Sequence, residues 1–366
     1  QIFIRNVVGR GYCFVENVAS GSDSPPGDDV AHRRGARGHL PALVHHLVGR
    51  DALIASLAHE VERHRLVSLV GAPGIGKSSV AVAVARALAP HFADPVGFID
   101  FSGLAAEKDV RDALDALLDG EEQYAARKAG SRLILFDNCE HLVHAAARQV
   151  DRLRTMAPDI HIRVASREPL RAESEQVHRL PALGSPAAGK DWTVREALGF
   201  PAIELFVERA RAIDDQFAFR SADVAAVADI CRRLEGVPLA IEFAAGYVEM
   251  FGLADLSAML GDGRLLMSRA HRGMRSRQQT LRASLAWSYD LLPPAEKAAL
   301  SRLATFDAGF TMATAIAAAP EFDANEMFVS IVNLTEKSLL AVDTASGEAR
   351  YSLQEILRVF LLAQQE

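Results

Sequence analysis

From Leu66 onward the hydrophobic positions come in short unbroken runs, each followed by a stretch with helical spacing. Leu66-Val67-Ser68-Leu69-Val70 precedes a helix-like run over 77–88. An apolar stretch at 96–101 follows, and Leu133-Ile134-Leu135-Phe136 and Ile160-His161-Ile162-Arg163-Val164-Ala165 extend the series. Apolar runs of this length belong to strands buried on both faces, so the pattern predicts an α/β fold with a parallel sheet covered by helices. Beyond Pro186 strands nearly vanish. Amphipathic helices are predicted over 201–213, 221–234, 239–250, 279–292 and 294–304. Near the end, 337–342 and 350–353 flank a turn at Ser346-Gly347 and predict a small hairpin. A second hairpin is predicted at the start, where residues 4–15 alternate about Gly9 and Gly11. Between it and His46 the chain is rich in Ser, Gly, Asp, Pro and Arg without periodicity, a composition suited to a linker.

Length and composition narrow the class. At roughly 150 residues per domain, 366 residues make about two to three domains. With 49% hydrophobic and 24% charged residues the chain can bury substantial cores, which excludes disorder over its whole length. A net charge of −7 excludes a polycation that coats nucleic acid, so any DNA contact must be local. Cys13, Cys139 and Cys231 are widely separated and in no paired motif, which excludes a disulfide scaffold and a thiolate zinc site and points to a reducing, cytoplasmic setting. No apolar run reaches the roughly 18 residues of a membrane span, and no membrane partner is expected. The chain begins with Gln1, inside what reads as a strand, and is expected to be a piece of a longer protein.

The chemistry is concentrated between the first strand and its helix. Gly71-Ala72-Pro73-Gly74-Ile75-Gly76-Lys77-Ser78, followed by Ser79, matches GxxxxGK[ST] in the strand-to-helix context this motif requires. Its glycines let successive backbone N–H groups turn toward phosphate oxygens, and the helix N-terminus adds its positive end. Lys77 is placed to reach the β- and γ-phosphates of ATP or ADP, and the Ser78 hydroxyl to ligate Mg2+. Asp137, ending the run 133–136, is the candidate acid for the hydrated Mg2+. The next residue, Asn138, is not a second acid. Glu140 reads either as the catalytic group that orients water or as a solvated acid at a helix start. Cys139 reads as a small buried side chain, since no base adjoins it.

These residues resemble the STAND class of signal-transduction NTPases, relatives of AAA+ ATPases that include NB-ARC proteins and bacterial transcriptional activators. Phe136-Asp137-Asn138-Cys139-Glu140-His141-Leu142 is similar to the second nucleotide motif of predicted ATPases from transcriptional regulators. Leu47-Val48-Gly49-Arg50-Asp51 resembles the motif whose backbone, through Gly49 and Arg50, lies along the adenine. Val164-Ala165-Ser166-Arg167-Glu168-Pro169-Leu170 resembles the sensor strand, which implies that Arg167 approaches the γ-phosphate. Leu234-Glu235-Gly236-Val237-Pro238-Leu239 resembles the GxP motif, with Pro238 against the base. In many relatives a Met-His-Asp triplet near the end places His on the β-phosphate of ADP. The matching positions are Leu353-Gln354-Glu355, so Gln354 stands there as a neutral amide donor.

Val8-Gly9-Arg10-Gly11-Tyr12-Cys13-Phe14 resembles the wing of an OmpR-type winged-helix DNA-binding domain, whose recognition helix would precede Gln1. DNA is therefore expected as a partner of the complete N-terminal domain only, with Arg10 at the wing. The implied organisation is a wing hairpin remnant at 1–17, a flexible linker at 18–45, a P-loop NTPase domain at 46–185, a helical domain at 186–270 and a winged-helix-like domain at 271–366. Arg264, Arg269, Arg272, Arg275 and Arg277 read either as a solvated loop or as a phosphate or nucleic-acid contact. The expected function is an ATP/ADP-switched regulatory NTPase with slow hydrolysis, with self-association or an effector protein as a further partner. A P-loop kinase or metabolic ATPase and an AAA+ ring motor are the alternatives.

Overall fold

The computed structural model describes residues 4–7, 11–14, 40–43, 46–60, 63–118, 131–157, 159–261, 285–344 and 347–365. Strands β1 (Ile4–Val7) and β2 (Gly11–Phe14) pair antiparallel, from Ile4 opposite Phe14 to Val7 opposite Gly11, in a unit of their own. Arg10, most of the expected linker and the arginines at 264–277 lie outside the described residues.

The second unit opens with α1 (Asp51–His59), then alternates β3 (Leu66–Val70), α2 (Lys77–Leu88), β4 (Gly97–Asp100), α3 (Glu107–Leu117), β5 (Arg132–Asp137), α4 (Val143–Met156), β6 (Ile160–Ser166) and β7 (Gln176–Arg179). The strands form one parallel sheet in the order β4-β5-β6-β3-β7. Alternate side chains point to opposite faces of a strand, and both faces here are apolar. Leu69, Leu133, Leu135 and Ala165 join the core that includes Val80, Val84 and Leu88 of α2. Ile99, Ile134, Phe136, Ile162 and Val164 join Val110, Leu114 and Val150 of α3 and α4. The α/β fold expected from the runs is observed. The edge strand β7 escapes the pattern because Gln-Val-His-Arg carries a single apolar residue.

Helices dominate the remainder: α5 (Val194–Ala197), α6 (Pro201–Ile213), α7 (Val224–Arg233), α8 (Pro238–Ala245) and α9 (Val248–Gly261). Residues 285–290 are also helical. Then come α10 (Pro294–Leu303), α11 (Met312–Ala318), α12 (Ala324–Glu336), the antiparallel pair β8 (Leu340–Asp343) and β9 (Arg350–Leu353), and α13 (Glu355–Gln365). Three of these helices start with Pro, where its missing N–H and fixed φ suit the first turn. The single helix expected over 239–250 is divided, with α8 ending at Ala245 and α9 beginning at Val248. Among the described residues no single helix is long and apolar enough to cross a membrane.

Candidate functional site

Three strands of the parallel sheet end at the same place. Asp100 and Asp137 are register partners at the carboxyl ends of β4 and β5, and Ser166 closes β6 beside them. The glycine loop leaves β3 next to these ends. Gly74 and Gly76 have φ of +76° and +95°, values that side-chain-bearing residues adopt only with strain, and Gly76 caps α2 in the left-handed conformation. Gly74 also backs onto Leu239, where a Cβ would approach the Leu239 Cβ to 3.0 Å. In this loop Lys77 Nζ donates to the carbonyls of Gly71 (2.9 Å) and Ala72 (3.0 Å). Desolvation lowers its ammonium to about 8, opposed by the carboxylates of Glu140 and Asp137 and reinforced by the charge of Arg167.

The Ser78 hydroxyl donates to Asp137 Oδ1 at 2.8 Å, joining the helix start to the end of β5. Burial pushes the Asp137 carboxyl up to about 6, with the nearby Asp100 adding to the rise, while the bonds from Ser78 and the Asn138 N–H oppose it. Asn138 takes a left-handed conformation (φ 58°), and its amide donates to Asp100 Oδ1 at 2.9 Å. Asp100 is a member of this cluster that sequence reasoning missed. Its signal was the shared placement of Asp100 and Asp137 at the ends of parallel apolar runs. A hydroxyl on one buried carboxylate, with a second carboxylate alongside, is the hard-oxygen donor chemistry suited to Mg2+. Cys139 is fully buried and its thiol is pushed well up by burial, which leaves it without thiolate character.

Glu140 and Arg167 meet inside the protein, with Nε 3.4 Å from Oε1 and both side chains buried. The reading of Glu140 as a solvated acid is thereby excluded. The guanidinium of Arg167 lies 5.5 Å from the ring centre of Trp287, which also meets His141 edge-on at 5.8 Å. Ser338 Oγ donates to the Arg167 carbonyl at 2.8 Å, and Arg171 pairs with Glu336. Helix 285–290 and the turn after α12 thus rest on the segment following β6, and neither Trp287 nor Ser338 carries a local sequence signal for that contact.

Of the remaining expected residues, Arg50 and the segment after Pro238 contact the loop. Arg50 is buried, and its Nη2 donates to the carbonyls of Ile75 (3.4 Å) and Pro181 (2.7 Å). Gly49 backs onto Pro201. Pro238 begins α8, and the following N–H, of Leu239, donates to the Gly74 carbonyl at 3.2 Å, so the GxP segment seats directly on the glycine loop. Gly236 (φ +67°) lets the same segment pack against Leu183. A Cβ there would meet the Leu183 carbonyl oxygen at 2.1 Å, while Leu183 N–H donates to the Gly236 carbonyl at 2.9 Å. The Glu355 N–H, at the start of α13, donates to the Glu235 carboxylate, which brings the adjoining Gln354 to the GxP segment.

A helix-flanked parallel sheet with this glycine loop defines the P-loop NTPase fold. A solved Walker-type ATPase of Pyrococcus abyssi is similar to it, with a TM-score of 0.52 and 11% identity over 86% of this chain and 96% of that one. No family model matches the sequence. The chain belongs to the family of the uncharacterized protein Rv0894 of Mycobacterium tuberculosis, with which it is 31% identical over 353 residues, covering 91% of this chain and 84% of that protein. It is also similar to a Mycobacterium tuberculosis protein named as an HTH-type transcriptional regulator, Rv0890c, at 34% identity over 319 residues and 82% of this chain. It spans about a third (34%) of that relative's length.

Proposed function

We propose that this chain is the regulatory NTPase segment of a transcriptional regulator, a STAND-class switch that binds ATP or ADP with Mg2+, hydrolyses ATP slowly and acts in the cytoplasm. The observation that carries the reading is the Ser78–Asp137 contact at 2.8 Å beside Lys77 and the backbone of Gly71–Gly76. In this reading the loop N–H groups from Gly71 to Lys77, with Ser78 and Ser79 at the helix start, take the phosphates. Ser78 and Asp137 hold Mg2+, which when bound neutralises phosphate charge. Arg50 braces the loop from behind through the Ile75 and Pro181 carbonyls, leaving the Gly49-Arg50 backbone and Pro238 for the base. Glu140 orients water once Arg167 releases it. Gln354 offers its amide to the diphosphate state, in which the winged-helix-like segment is docked. DNA binding belongs to a complete N-terminal domain, of which β1 and β2 are the wing. The similarity to a relative named as a transcriptional regulator supports the regulatory part.

The test is chromatography of nucleotide released from the purified, denatured chain, followed by calorimetry with ATP and ADP in matched magnesium titrations. Retained ADP and slow turnover support a switch; an empty site with rapid turnover points to a metabolic enzyme. Asp137→Asn is expected to weaken magnesium-dependent binding about tenfold, because an amide holds a hydrated cation less well than a carboxylate. Unchanged magnesium dependence removes Asp137 from the metal site. Glu140→Gln is expected to abolish turnover while ATP still binds.

A further inference from the structure

Arg167 is a buried cation whose contacts the glycine loop does not explain. Its side chain is 6% exposed and faces Glu140 at 3.4 Å. Nε and Nη1 have no hydrogen-bond acceptor among the described residues, so the acid compensates its charge without satisfying its donors. The other charges acting on it are Glu168, its chain neighbour, and Lys77, whose ammonium responds to Arg167 and Glu140 together. Two contacts hold it from outside the sheet: the Trp287 ring at 5.5 Å, and the Ser338 hydroxyl on its backbone carbonyl, 171 residues away in sequence.

We propose that Trp287 is a positioning residue that keeps Arg167 on Glu140, so that the terminal phosphate of a nucleoside triphosphate and the docked C-terminal segment compete for one guanidinium. The inference rests on the reading of the glycine loop as a nucleotide site. A triphosphate brings more negative charge past Lys77 than a diphosphate does, and Arg167 offers that charge two donors without acceptors. Turning toward it costs the guanidinium its place over the indole, an interaction of roughly 0.5–2 kcal/mol, or about twofold to thirtyfold in affinity. The same movement frees Glu140 and loosens the contact between Trp287 and the sheet. A diphosphate does not reach past the lysine and leaves all three in place.

Trp192 and Trp287 are the two tryptophans of the chain, so Trp192→Phe makes Trp287 the sole indole reporter. With Mg2+ present, the β,γ-imido analogue of ATP is expected to change Trp287 emission, and ADP to change it far less. Calorimetry on Trp287→Leu is expected to show the analogue bound about threefold to tenfold more tightly and ADP within about twofold, with Trp287→Phe restoring most of the original ratio. Equal emission changes from the two nucleotides, or equal affinity changes for both in Trp287→Leu, overturn the proposal. The emission experiment decides it alone if Trp287→Leu does not fold. Absence of calorimetric binding of either nucleotide to the unaltered chain, once freed of any retained nucleotide, defeats the nucleotide-site reading instead, and is seen before any variant is made.

Discussion

Arg163 and Arg167 leave the same stretch of chain four residues apart, and both are buried, yet their surroundings differ in kind. Arg163 points from the middle of β6 toward the amino ends of the strands, where its Nη1 donates to the backbone carbonyls of Ile162 (3.0 Å), His64 (3.3 Å) and Arg65 (3.5 Å). Burial lowers its guanidinium to about 10, with Glu60 opposing. Backbone carbonyls of a packed strand and its entry loop cannot move without moving the sheet. The guanidinium of Arg167, just past the carboxyl end of β6, faces only side chains, the Glu140 carboxylate and the Trp287 indole, while Ser338 holds its backbone carbonyl. Burial of a charge therefore says little about function. What distinguishes the two arginines is whether their partners are fixed by the fold or exchangeable with a ligand.

Four measurements test this contrast. The largest effect is expected at the carboxyl edge. Lys77→Ala removes the charge proposed to face the phosphates and should lower nucleotide affinity by about a hundredfold or more, roughly 3 kcal/mol, in calorimetry. The denaturant midpoint should hold or rise, because burial costs this cation its hydration and pushes its ammonium down to about 8. At the amino edge the expectation is reversed. Arg163→Ala leaves a cavity in the packed sheet and should cost about 2–3 kcal/mol in chemical denaturation, with nucleotide affinity unchanged within about twofold. An affinity loss matching that at Lys77 would erase the distinction between the two edges.

The third measurement uses pH. His161, on β6 beside Arg163 and packed edge-on against Phe92 at 5.2 Å, is pushed down to about 4, first by burial and then by the charges of Arg163 and Arg65, with Asp159 opposing. Its folded value lies below the ordinary 6.5, so the folded state resists protonation. Stability from this group is complete above pH 6.5 and is lost as pH falls toward 4, by about 1–2 kcal/mol after allowing for solvent screening of a partly buried ring. His161→Gln should flatten that part of the stability profile. The smallest effect is expected from Arg163→Met, within about 1 kcal/mol, because an apolar chain of similar length removes the desolvation cost along with the hydrogen bonds. A loss of 3 kcal/mol there would mean that the amino-edge arginine stabilises through its charge.

Local signals made much of this molecule legible in advance. The four apolar strands, the glycine loop and the helix over 201–213 appear where the sequence pattern places them, because each depends on residues adjacent in the chain. The edge strand β7 was invisible because one side of its ladder is open and its residues are polar. The bounds of helices α11, α12 and α13, which surround the C-terminal hairpin, carry no clear periodic signal, and the expected helix over 239–250 divides after Ala245. At the site, Lys77, Ser78 and Asp137 were legible from motif spacing. Asp100 shares with Asp137 a place at the end of an apolar run, but its part in the cluster depends on the register of β4 against β5.

The glycine loop is specified locally, because a backbone that exposes consecutive N–H groups requires only glycines at the left-handed positions and a helix immediately after them. The sequence by itself likewise determined the parallel sheet, through runs too apolar to face water. Only the tertiary structure decided that Glu140 faces Arg167 rather than solvent, that Trp287 lies over that guanidinium, and that the GxP segment seats on Gly74. These are contacts between segments distant in the chain. Their energies depend on burial and on which charges share the low-dielectric interior, and neither is encoded in the spacing of any one motif.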